Sequence, residues 1–139
     1  MLRALDISTS ALVAQRTRLN AVSGNIANIS SLKDETGEAN PYRAREVVFQ
    51  TDESLSISGA SGVKVQEVLT SDAEPRYRYQ PDHPLAIKEG KWKGYVAYPN
   101  IDLTTQMVDA LESTRAYEAN VGVMEITKNL SRETLTILA

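Results

Sequence analysis

Two stretches of the chain repeat their apolar residues at helical spacing, and a third, between them, does not. From Leu2 to about Ile29 the apolar positions Leu5, Leu12, Leu19 and Ile26 recur every seven residues, with Leu2, Val22 and Ile29 beside them. From Ile101 to Leu138, steps of three and four link Leu103, Met107, Ala110, Thr114, Tyr117, Val121 and Met124 and, across weaker positions at Lys128 and Ser131, Leu135 and Leu138 along one side of a second helix. A period near seven favours a helix that supercoils round a partner over one that lies flat on a sheet. Pro99 stands ahead of the second helix, and either Asn100 or Asp102 can cap its first turn. At about 1.5 Å per residue this helix runs roughly 55 Å, more than a compact domain of this size needs, which predicts a receiver outside its own domain.

The first helix weakens over Gly24 to Ser31, where Asn and Ser offer the backbone alternative hydrogen bonds, so it frays or stops there. Residues 32–41 read as a polar loop closed by the Asn40-Pro41 turn. Between Tyr42 and Tyr98 the pattern changes to short alternating runs: Arg43 to Gln50, Gly62 to Leu69, Arg76 to Gln80 and Tyr95 to Tyr98, separated by turn-rich breaks at Ser58 to Gly62 and Pro81 to Pro84. Phe49, Trp92 and the tyrosines are its large core candidates, and Lys88 to Gly94 reads as a charged loop that turns at Gly94.

The predicted fold class is therefore α+β: two long terminal α-helices forming an antiparallel coiled-coil-like pair with a small antiparallel β insert between them. The segments are 1–31 (first axial helix), 32–41 (polar loop), 42–98 (β insert, with a core independent of the helices) and 99–139 (second axial helix), the first and last forming one core domain. An antiparallel pair brings Leu5 near Leu138 and Leu19 near Met124. Two helices alone bury too little to be self-sufficient, so a bundle of many chains is expected to complete them. The candidate assembly seam is Leu5, Leu12, Leu19, Val22 and Ile26 on the first helix, with Leu103, Met107, Tyr117, Val121 and Met124 on the second.

Composition narrows the function. A net charge of −3 without a basic run disfavours nucleic acid and anionic membrane as partners, and no window approaches a membrane span. Polar Ser8, Thr9 and Ser10 stand where a secretory signal needs an apolar run. With no cysteine there is neither a disulfide framework nor a thiolate metal site. The single histidine, His83, sits in a turn between Asp82 and Pro84 and reads as a solvated loop residue. Asp34, Glu35 and Glu38 lack the alternating ligands of a calcium loop, and Ser30 and Ser31 have no base to activate them. The chain is read as no enzyme, with no cofactor and no metal.

Four runs carry a family resemblance: Asn25-Ile26-Ala27-Asn28, Asn40-Pro41-Tyr42-Arg43 leading into Val47-Val48-Phe49, Gly94-Tyr95-Val96-Ala97-Tyr98-Pro99-Asn100, and Arg115-Ala116-Tyr117-Glu118-Ala119-Asn120. Together they resemble the flagellar basal-body rod family, in particular its proximal-rod branch. The first run is shared by many flagellar axial proteins; the last two, at this spacing in so short a chain, are more specific. The sequence departs from the family pattern at Ile29-Ser30-Ser31 and in the basic segment Lys88 to Lys93. The resemblance implies a structural subunit of the proximal rod in the periplasm-spanning basal body, polymerising through its terminal helices to transmit torque and form the export channel wall. It implies export through the flagellar type III apparatus without signal cleavage. The implied partners are further copies, rod proteins of the FlgB, FlgF and FlgG types and a FliE-type adaptor, with no nucleic acid and no membrane insertion. Arg115, Glu118 and Asn120 would then make contacts between subunits. The alternative from another class is a coiled-coil adaptor that binds one partner through its C-terminal helix.

Overall fold

The structure, a computed structural model, describes residues 2–57 and 59–138, and of Leu2, Ile57 and Leu138 the backbone alone. The seam positions assigned to Leu2 and Leu138, and the Ser58 end of the predicted break, lie outside that description. In chain order the elements are α1 (Leu2–Ala27), β1 (Arg45–Ile57), β2 (Ala60–Thr70), β3 (Arg76–Tyr79), β4 (Tyr95–Tyr98) and α2 (Leu103–Leu138). Two long helices enclosing antiparallel strands match the α+β expectation.

The ends of both helices follow from local side chains. α1 stops after Ala27 because Asn28 donates its Nδ2 to the Gly24 carbonyl and accepts from the Ser31 hydroxyl, while the Ile29 amide turns back to Ile26. Asp102, not Asn100, caps α2: its Oδ2 accepts from the amide and hydroxyl of Thr105 at 2.9 and 2.8 Å. Asn100 instead accepts from Arg76 Nε and donates to the Glu74 carbonyl, tying the approach to α2 to the start of β3.

The helices run antiparallel, in a register set by polar groups. Asn25 Nδ2 donates to Gln106 Oε1 at 2.9 Å, and Arg18 pairs with Asp109 at 3.0 Å. With Gln106 opposite Asn25, Leu19 lies level with α2 roughly six residues further on, near Glu112, and Met124 lies level with about Ile7. The expected pairings of Leu19 with Met124 and Leu5 with Leu138 are thus out of register. Seams of similar period match after many shifts, whereas one amide pair and one ion pair match in a single one. By the same spacing roughly the last nine residues of α2 run past the start of α1.

The β insert is two ribbons rather than one sheet. β1 and β2 form a long hairpin, from Arg45 opposite Thr70 to Ile57 opposite Ala60, with register shifts after Val48 and between Asp52 and Ile57. Both strands exceed the predicted runs, since the Thr51 to Ser56 stretch lacks the alternating apolar residues by which a strand is recognised. The hairpin lies along α1: the Val63 amide donates to Ser10 Oγ at one end, and Arg45 bonds Asn25 at the other. Gly62 is required where strand and helix touch, because a Cβ there would meet Leu55 Cδ1 at 2.8 Å and Ser10 Oγ at 3.1 Å. The expectation of an insert core independent of the helices is therefore corrected, because α1 supplies one wall of the hairpin.

β3 and β4 pair Arg76 with Tyr98 and Tyr79 with Tyr95. Tyr77 stacks on Trp92 at 4.3 Å between centroids, and Tyr95 meets Trp92 and Tyr79 edge to face. Gly94, at φ +80, makes the predicted turn and lets the Tyr79 ring approach to where a Cβ would be 2.9 Å away. The aromatic core candidates divide accordingly, with Phe49 against α1 in the hairpin, Tyr42 bonded to Asn25 of α1, and Trp92 with the remaining tyrosines of the insert in this second ribbon.

Candidate assembly surface

α2 turns its small and polar side to its own chain. Gln106, Asp109, Ala110, Ser113, Ala116, Asn120, Met124, Thr127 and Ser131 recur every three or four residues and are buried or half-buried. Ser113 is fully buried. Such short side chains allow close approach to α1, whose matching buried residues are Ser8, Ala14, Val22 and Asn25.

The large apolar side chains of α2 point the other way. Leu103, Met107 and Leu111 form an exposed stripe at four-residue spacing, with Met107 60% accessible. Val123, Ile126, Leu130 and Ile137 form another, at spacings of three, four and seven, with Ile126 62% and Ile137 83% accessible. On a helix with 3.6 residues per turn these two stripes face directions roughly 100° or more apart. Exposed apolar stripes of this kind are the mark of an interaction site.

The seam residues divide between these faces. On α1, Val22 is buried, while Leu5, Leu12, Leu19 and Ile26 are half-buried. On α2, Val121 and Met124 are half-buried, and Leu103, Met107 and Tyr117 are exposed. Val108, Leu111, Val123, Ile126, Leu130 and Ile137 were missed by the sequence reading, although the 123-126-130-137 spacing was itself a readable heptad signal. In the Arg115 to Asn120 run, Arg115, Glu118 and Ala119 are exposed, whereas Ala116 lies on the inner side and Asn120 donates to the Ala116 carbonyl.

The joint that holds the helices and hairpin together is centred on Asn25, 2% accessible. Its Nδ2 donates to the Arg45 carbonyl and to Gln106 Oε1, both at 2.9 Å. Its Oδ1 accepts from the Arg45 amide at 2.8 Å and the Tyr42 hydroxyl at 3.3 Å. The side-chain amide thus bonds both backbone groups of Arg45, as a neighbouring strand would, and reaches α2 as well. A cleft of about 390 Å³ lies beside it, lined by Arg18, Asn25, Arg45, Phe49, Gln106 and Asp109 among others. Of the other motif residues, Ile26 is half-buried, Ala27 exposed, Pro99 buried, and the Tyr98 hydroxyl donates to Gln80 Oε1.

The loops considered for chemistry are spent on structure. Asp34 Oδ1 accepts from the amides of Thr36 and Glu38 and from the Thr36 hydroxyl, folding the polar loop into a small turn. His83 Nδ1 accepts from the Leu85 amide and is half-buried. Among the described residues no group of three His, Cys, Asp or Glu side chains could hold a metal ion, and no helix is long and apolar enough to cross a membrane.

Residues 5–30 match the family described as flagella basal body rod protein, and residues 93–137 match the one described as flagellar basal body rod FlgEFG protein C-terminal. The chain is 40% identical to the flagellar basal-body rod protein FlgC of Escherichia coli O157:H7, over 99% of this chain and 97% of that one. It is 40% identical to the FlgC of Bacillus subtilis, over 96% of this chain and 95% of the relative. With the FlgC of Borreliella burgdorferi it shares 33% identity over the same fractions of the two chains.

Proposed function

The chain belongs to the FlgC branch of the flagellar basal-body rod proteins, and on that premise we propose that its helices polymerise through the outward faces of α2 to build the wall of the rod. It is a structural subunit of the flagellar basal body that assembles with other rod components. The finer reading places it in the proximal rod, where the tube transmits torque and bounds the export channel. Its neighbours there are further copies, rod subunits of the FlgB, FlgF and FlgG types and a FliE-type adaptor. It arrives through the flagellar type III export apparatus without signal cleavage. Nothing in its chemistry calls for catalysis, and the family role is structural.

One observation carries this reading. α2 keeps its small, polar side for α1 and leaves Leu103, Met107, Leu111, Val123, Ile126, Leu130 and Ile137 exposed in two directions. A two-chain adaptor needs one apolar seam, whereas a subunit inside a tube has neighbours on more than one side. Tyr117→Asp and Ile126→Asp test it, since each would put an unpaired carboxylate into a buried contact repeated in every copy, at several kcal/mol per copy. The expected result is a folded, exported subunit absent from purified basal bodies, in cells that do not swim. Basal bodies carrying both variants at parental levels would refute polymerisation through α2. A closed dimer of the isolated chain with both termini protected would favour the adaptor.

A further inference from the structure

A two-stranded ribbon leaves backbone groups unpaired along both outer edges. α1 closes the hairpin's edges at two points, where Asn25 bonds both backbone groups of Arg45 and Ser10 accepts from the Val63 amide. The outer edge of β4 is closed by the loop before it, since the Ile87 amide donates to the Tyr95 carbonyl and the Ile87 carbonyl accepts from Gly94. β3 has no such cover. Of the helices and strands, only β4 lies beside it. The pairing settles which of its groups point outward. The Gln80 amide donates to the Gly94 carbonyl while the Tyr95 carbonyl is turned away to Ile87, so Tyr79 and Tyr95 face each other as a non-hydrogen-bonded pair, and Tyr77 and Ala97 do likewise. The N–H and C=O groups of Tyr77 and Tyr79 therefore line the free edge, and none of the four has a partner among the described residues.

The side chains along this edge alternate. Arg76 and Arg78 stand on one face and Tyr77 and Tyr79 on the other, with Arg76, Arg78 and Tyr79 exposed. Neither arginine has an ion pair among the described residues. Arg76 gives its Nε to Asn100, and Arg78 lies over the Tyr98 ring at 4.9 Å, which leaves the terminal Nη groups of both without a hydrogen-bond partner. The carboxylate in the cleft they share, that of Asp102, is spent on capping α2. The segment from Arg76 to Tyr98 as a whole carries five lysines and arginines against Asp82 and Glu89, a net +3. Two β3 edges brought together with Tyr77 bonded to Tyr79 would set Arg78 against Arg78, so like charge opposes self-pairing. An acidic strand meets the opposite condition.

We propose that the free edge of β3 takes up an extended segment of another protein as an added strand, and that this segment alternates acidic and apolar residues. Its backbone bonds the four groups at Tyr77 and Tyr79. Its acidic side chains sit beside Arg76 and Arg78 and its apolar ones beside the tyrosines, because neighbours across two strands share a face.

The test titrates the full chain with a blocked peptide containing Glu-Val-Glu-Val, read by amide hydrogen exchange and by the fluorescence of Trp92, which stacks on Tyr77. Saturable binding below about 1 mM is expected. Exchange at the Tyr77 and Tyr79 amides should slow about tenfold or more, while the Arg78 amide, already turned to β4, changes little. An added strand directs half of its own amides to β3 and half to solvent. Of two peptides N-methylated on both glutamates or on both valines, one should therefore bind like the unmodified peptide and the other about tenfold more weakly or worse. Arg78→Glu, at an exposed position, should weaken the acidic peptide about tenfold and favour Lys-Val-Lys-Val in its place. The proposal is overturned if nothing binds at about 1 mM, if binding leaves exchange at Tyr77 and Tyr79 unchanged, or if the two methylated peptides bind alike. Heparin binding as tightly as the peptide would reduce the edge to a general anion patch and overturn it as well.

Discussion

Replacing Asn25 by alanine removes the joint of the molecule while leaving every apolar contact nearly intact. The side chain makes four hydrogen bonds, two of them to the amide and carbonyl of Arg45. A buried polar group stranded in this way costs about 1–3 kcal/mol. The two backbone groups alone would set the loss at about 2–6 kcal/mol, but the adjoining cleft admits water that can take over part of the bonding. We therefore expect about 2–3 kcal/mol. The assay is urea denaturation of the purified chain combined with amide hydrogen exchange. Protection should fall in β1 and β2 and at the first turns of α2, with β3 and β4 spared because their aromatic cluster does not touch Asn25.

Two further variants separate the contributions. Asn25→Asp keeps the shape but turns a carboxylate oxygen toward the Arg45 carbonyl and Gln106 Oε1, both acceptors, so it should cost more than alanine once the carboxyl ionises. Gln106→Ala removes one of the four bonds and should cost about 1 kcal/mol. A loss below about 0.5 kcal/mol for Asn25→Ala, or a loss of protection spread evenly over both ribbons, would refute the assignment of Asn25 as the joint.

Ser113 Oγ is buried and has no hydrogen-bond partner among the described residues, so Ser113→Ala should leave the chain equally stable or up to about 1 kcal/mol more stable by urea denaturation, whereas Ser113→Leu should destabilise it by forcing the helices apart. Ile126→Asp, at an exposed position, should leave the isolated chain within about 0.5 kcal/mol of the parent, a result that separates an assembly defect from a folding defect. Asp102 is held below the usual carboxylate range, chiefly by the Thr105 amide and then by the Thr105 hydroxyl. A lowered folded-state value means the cap stabilises α2 fully above the unfolded carboxyl range and loses that effect as pH falls through the depressed value. Exchange at the Thr105 and Gln106 amides should therefore rise, beyond the intrinsic pH trend, on acidification below about pH 4, and Asp102→Asn should abolish that excess. Gly94→Ala should destabilise the β3–β4 ribbon selectively, because it places a Cβ at positive φ and 2.9 Å from the Tyr79 ring, and Trp92 fluorescence reports the loss.

The helices were legible because their apolar period is long and repeated, and the caps because Pro99 and Asp102 stand where a helix must begin. The hairpin was only half legible. Thr51 to Ser56 is polar apart from Leu55 and mostly exposed, and its extended form is held by pairing with β2 and contact with α1, neither of which leaves an apolar alternation behind. Asn25 was read as a residue that weakens a helix, which is its local propensity. Its tertiary role depends on Arg45 and Gln106, 20 and 81 residues away, and no local pattern announces such a bond. The outward stripes show how a period can be seen and its direction misjudged. The chain contains more apolar helical positions than one seam can hold, and only the placement of α1 decides which of them face inward.

That placement divides the work between two kinds of interaction. Inside the chain, α2 meets α1 through Gln106, Asp109, Ser113 and Asn120, side chains that contribute little burial but make directional contacts at Gln106 and Asp109. Such contacts set one register at modest stability. Outside it, Met107, Ile126, Leu130 and their neighbours have large apolar areas whose burial is favourable in many orientations, at about 25 cal/mol per Å². The isolated subunit is therefore specified by few contacts, and on the proposed assembly further stabilisation becomes available when neighbouring subunits cover α2. A chain built this way can remain separate until it reaches a growing end and then order against it. On the proposed assembly, the internal polar contacts would make each added copy present the same surface to the next.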